Sequence, residues 1–168
     1  MNFNRRHFFF AAIGSGAIQL QAGDFIQNQK NEFISLQHPR MDVAMVKEFV
    51  GAAHKDIPKV KLMLEESPGL LNAVNNLGGW DWEDALGAAG HVGIPELAYY
   101  LLDKGARPTI CVAAMLGKID VVKAYIKAYP KMKDAVGPHK ISLIRHAKAG
   151  GENAKEVLEY LVYIGAKE

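Results

Sequence analysis

Residues 85–93 and 109–117 share one layout: small and apolar residues for about two helical turns, then a glycine. An amphipathic segment follows each, Glu96 to Leu102 and Asp120 to Ile126, and residues 142–150 form a third copy at a longer interval. Repetition on this scale describes supersecondary units that bury an apolar face only by stacking on one another. From Met41 onward the pattern is helical, with no alternating strand signal. Breaks fall at Pro58, Pro68, Gly78-Gly79, Pro95, Gly105, Pro108, Pro130, Gly137-Pro138 and Gly150-Gly151. The intervals between them are of ordinary helix length, and such short connections make neighbouring helices antiparallel.

The unit around residues 84–106 is the most legible. Ala85, Ala88 and Ala89 are small enough to let a neighbouring helix approach closely. Gly93 suits the left-handed residue that ends a helix, and Pro95 suits the first turn of the next, where a missing N–H costs nothing. Leu97, Ala98, Leu101 and Leu102 form one apolar stripe before Gly105-Ala106 closes the unit. The spacing from Ile110 to Leu143 is 33 residues, as is that from Gly117 to Gly150, whereas Leu86 to Ile110 is 24.

These residues resemble the ankyrin repeat, in a divergent bacterial form. Leu86, Ala89, Gly93, Leu101, Leu102, Gly105 and Ala106 match one unit, and Ile110, Ala113, Ala114, Gly117, Val121, Val122 and Ile126 the next. Leu143, Ala147, Gly150, Val157, Leu158, Leu161, Gly165 and Ala166 match another, around an insertion at 151–154. A first unit, residues 46–64, keeps Ala52-Ala53, Val60, Met63 and Leu64 but lacks the turn glycine. The Thr-Pro-Leu-His tetrapeptide of the family is replaced in every unit. The resemblance implies an all-α helical solenoid of about four units over residues 41–168, which grips another protein with its concave side.

Ahead of it, Arg5, Arg6 and Phe8 precede a Gly- and Ala-containing apolar run and resemble a twin-arginine export signal, placed at residues 1–22. That run is too short and too interrupted to span a bilayer. Residues 23–40 read as a polar linker with no sustained period. The resemblance implies a periplasmic or exported protein, or a cytoplasmic one if the signal does not act. The chain carries 20 basic and 18 acidic side chains; without Arg5 and Arg6 the balance is 18 to 18. A neutral domain has no field to draw it to nucleic acid or an anionic membrane.

The window 75–84 holds both tryptophans and three acids, so Trp80 and Trp82, with His91 and Met115, are the expected partner-binding residues. The alternative for the tryptophans is packing over the first unit, with Asp81 capping the helix that follows. Cys111, the only cysteine, excludes a disulfide within the chain and reads as a small buried apolar residue. The histidines at 54, 91, 139 and 146 are spread through the units with no pair at the i, i+4 spacing of a metal site. No metal, cofactor or catalytic residue is therefore expected. The rival is a metal-binding domain or enzyme on the same scaffold using His54, His91 and His146. A homodimer through the last helix, near Tyr160 and Tyr163, is a third possibility.

Overall fold

In the computed structural model, residues 40–168 are described, together with Gln27. The chain divides into two compact units, Met1–Arg40 and Met41–Glu168. Within the first, Gln27 is helical and exposed. Arg5, Arg6, Phe8 and the rest of the signal-like segment lie outside the described residues, as does the linker apart from Gln27 and Arg40.

The second unit is mostly helical. Its helices are α1 (Val43–Ala52), α2 (Ile57–Glu66), α3 (Ala85–Val92), α4 (Pro95–Asp103), α5 (Ile110–Met115), α6 (Ile119–Ala128), α7 (Leu143–Ala149) and α8 (Lys155–Tyr163). They pair as four hairpins, and the first helices α1, α3, α5 and α7 lie against one another in turn. Local chemistry sets where each first helix begins. Asp42, Asp84, Thr109 and Ser142 each accept the N–H of the residue three positions on, so α1, α3, α5 and α7 have side-chain caps. Each such cap contributes about 1 kcal/mol. Asp84 rather than Asp81 caps α3, because only Asp84 sits at the residue before the first turn.

The amphipathic stripes close two adjoining cores. Phe49, Leu70, Leu86, Leu97 and Leu101 anchor the first, and Ile110, Val122, Leu143, Ile144 and Leu161 the second. Met115 is buried in the first core rather than presented on the surface, which removes it as a contact for a partner. Cys111 is buried as expected, and burial pushes its thiol up to about 11.

The stack departs from a linear array in one respect. α3 touches not only its neighbours α1 and α5 but also α7. The turn after α3 is seated on the end of α7: at Gly93, with φ +76°, a Cβ would lie 2.3 Å from the Ala149 carbonyl oxygen. Glycine is required there twice over, by conformation and by space.

Two strands interrupt the helical pattern where none was expected. β1 (Val74–Gly78) and β2 (Asp81–Asp84) form an antiparallel hairpin with Val74 opposite Asp84 and Asn76 opposite Trp82. Strands this short alternate too few times to announce a period of two. Their turn runs through Gly78, Gly79 and Trp80, all with positive φ. The segment between α6 and α7 forms a second projecting element, a strap closed by pairing of Val136 with Ser142.

Candidate metal centre

Glu83 is the third residue of β2, and the strand's alternation turns it inward while Trp82 faces out. Its side chain is only 3% exposed. A buried carboxylate requires a partner, since removing an ion from water costs several kcal/mol even after relaxation. Three imidazoles surround it. Glu83 Oε1 lies 3.4 Å from Nε2 of His54, 3.4 Å from Nδ1 of His91 and 3.2 Å from Nε2 of His139. Yet Oε1 accepts no hydrogen bond of acceptable geometry, and neither does His91 Nδ1 find a partner.

Three elements and one strap deliver these groups. His54 follows α1 and His91 lies in the last turn of α3, so the two occupy equivalent ends of stacked helices. Their rings are 5.0 Å apart between centroids, and the His91 and His139 rings 5.3 Å. His139 comes from the strap, where it and Lys140 are successive non-glycine residues at φ +57° and +58°. Left-handed backbone costs about 1–2 kcal/mol at each such residue. Asp81 holds this conformation by accepting the His139 N–H at 3.0 Å, and its Oδ2 lies 3.7 Å from His139 Nδ1.

The protonation pattern narrows what the cluster can do. His54 Nδ1 is 3.0 Å from the Val50 carbonyl oxygen, so Nδ1 must donate, and a neutral His54 turns the bare lone pair of Nε2 toward Glu83. His91 is held neutral: burial first, then the nearby histidines, push it down to about 4. Burial likewise pushes the Glu83 carboxyl above its usual range, against the pull of His54 and His139. The Nε2 lone pair of a neutral His54 repels the Glu83 oxygen unless a cation lies between them.

The four ligand atoms all lie within 4.8 Å of one another. Metal–nitrogen and metal–oxygen bonds of about 2.0–2.1 Å place neighbouring ligands of a tetrahedral ion roughly 3.4 Å apart, which the three contacts to Oε1 match. One outer partner fits as well, since ligating imidazoles commonly donate their other nitrogen to a carbonyl or carboxylate, and Val50 stands in that place for His54. Imidazole with one carboxylate and no thiolate suits a divalent first-row ion such as zinc.

The expected separation of the histidines is thus corrected: His54, His91 and His139 converge across units, and Glu83 completes the set. His146, named with His54 and His91 as a rival ligand, is fully buried beside the cluster instead. Its Nδ1 donates to the Ser142 carbonyl at 2.9 Å, and Gly137 of the strap lies over its ring. Of the expected contact residues, Trp80 is 92% and Trp82 59% exposed, whereas His91 belongs to the cluster. Tyr163 is exposed at the end of α8, and Tyr160 packs partly against the second core.

No protein-family model matches the chain, and no curated protein or solved structure matches it either.

Proposed function

We propose that residues 41–168 form an ankyrin-like repeat domain that binds one divalent transition-metal ion through His54, Glu83, His91 and His139. One observation carries the reading: a buried carboxylate oxygen with no hydrogen bond stands 3.2–3.4 Å from three imidazole nitrogens. The cap and turn chemistry repeated at α3, α5 and α7 supports the repeat architecture. Four protein ligands fill a tetrahedral shell, which favours a structural ion over a catalytic one.

The test is calorimetric titration of the metal-stripped chain with zinc, with thermal melts alongside. One ion should bind per chain, and at a hundredfold excess over Kd the melting temperature should rise by roughly 8–12 °C, from about 2.7 kcal/mol of linkage. Glu83→Gln and His91→Ala should each weaken binding at least tenfold. Absence of saturable binding at micromolar zinc would overturn the proposal.

A second reading, recognition of a protein partner, is favoured by the exposure of Trp80 and Trp82 on the β1–β2 hairpin. Large exposed aromatics are typical anchors of interfaces. Pull-down with the Trp80/Trp82 double alanine as control tests it. In this reading the twin-arginine-like Arg5, Arg6 and Phe8 carry the domain out of the cytoplasm. Unchanged export after Arg5→Lys with Arg6→Lys would refute that.

A further inference from the structure

The metal site sits where two projecting elements meet. The β1–β2 hairpin supplies Glu83 and Asp81, and the strap supplies His139. These same elements line a cleft of about 680 Å³: Trp80 and Trp82 from the hairpin, Pro138 and Lys140 from the strap, together with Ile110 and Cys111.

We propose that the ion acts as a clamp on this cleft: it fastens the strap to the hairpin and to the ends of α1 and α3, so that its occupancy sets the cleft's width and the presentation of Trp80 and Trp82. The inference rests on the metal reading above. It goes further in assigning the site a regulatory role over a second surface.

Three observations argue for it. First, the strap is fastened at its start, where Lys133 donates to the Gly165 carbonyl and Asp134 accepts the Lys167 N–H, whereas its tip at 137–141 has three ties. Gly137 N–H donates to Ile141 at 2.8 Å, Ile141 N–H donates to Pro138 at 3.2 Å, and Asp81 holds the His139 N–H. Second, two successive left-handed residues carry His139 toward Glu83, a conformation that the surroundings must impose. Third, the ligands come from separate parts of the chain, so each bond to the ion removes freedom that the strap otherwise has. Without a cation, Glu83 Oε1 and His91 Nδ1 are left buried with no hydrogen bond, and the strap is the one histidine contributor that lies outside the stack. His54 and His91 sit at helix ends inside the stack, whereas His139 sits on the strap between α6 and α7.

Hydrogen exchange on the full chain, stripped of metal and then given zinc, tests the clamp. Zinc should slow exchange of residues 136–142 at least tenfold, with a smaller slowing at 74–84, while the exposed end of α8, which opens by local fraying and carries no ligand, changes less than twofold. His139→Ala should still bind zinc through the remaining ligands, more weakly, and lose the slowing at the strap. Zinc bound one-to-one with exchange at 136–142 unchanged would overturn the clamp and leave the metal site standing. Equal slowing at the strap and at the exposed end of α8 would also overturn it, as an effect not directed to the strap. No zinc binding would overturn both.

Discussion

The stack of first helices and the corner where hairpin meets strap are built on opposite terms. In the stack, α3, α5 and α7 begin at residues whose side chains bond the backbone, and Leu86, Leu97, Leu143 and Leu161 lie wholly inside. At the corner, Glu83 Oε1 and His91 Nδ1 are buried without hydrogen bonds, and Trp80, His139 and Lys140 adopt left-handed backbone. Local preference and global packing agree in the first region and conflict in the second. Such conflicts mark sites kept for something other than stability.

The largest expected effect sharpens the first half of that contrast. Leu143→Ala should destabilise by about 2–5 kcal/mol in denaturant melts with or without metal, because it empties a well-packed core position. Glu83→Gln should behave in the reverse sense. Melting of the metal-free chain should rise by roughly 3–5 °C, for about 1 kcal/mol of relieved carboxylate burial, while the zinc-induced rise disappears. A metal-free loss of stability in that variant would break the comparison. Thr109→Ala should cost about 1 kcal/mol through loss of the bond to the Val112 N–H, again independent of metal. Trp80→Ala should change stability by less than about 0.5 kcal/mol, as expected of an exposed side chain.

Acid supplies a further probe in the metal-free chain. Burial holds His146 below its ordinary 6.5, so the unfolded chain takes up that proton more readily than the folded one. Its contribution is therefore complete above about 6.5 and declines as pH falls below that value. Melts between pH 7 and 5 should show the decline, and His146→Gln should lessen it, leaving the part due to His91, which burial shifts in the same direction.

The stack was legible because its signals are local. Gly93 and Gly117 end their helices in the left-handed conformation, Thr109 and Ser142 cap where a cap is needed, and the stripe of Leu97, Ala98 and Leu101 faces the core. The corner was not legible, because its residues meet only through the stacking. His54 and His91 are 37 positions apart and His139 another 48 beyond. One signal was present: His54 and His91 each follow a run of small residues at the end of a first helix, and stacked units bring equivalent positions together. For Glu83 the signal was weaker, since its inward face depends on a strand that the helical period concealed. The strap offered only Gly137-Pro138, a break that says where a helix stops and nothing of where the next residue points.

The seating of Gly93 against Ala149 has a consequence for how the chain acquires its structure. Arrays whose units touch only their neighbours can fray from one end or nucleate in the middle, one unit at a time. Here the second hairpin is incomplete until the fourth has docked on it, so long-range closure must accompany local helix formation. The domain should therefore melt as a single cooperative block, and its last hairpin is not a removable cap but a keystone.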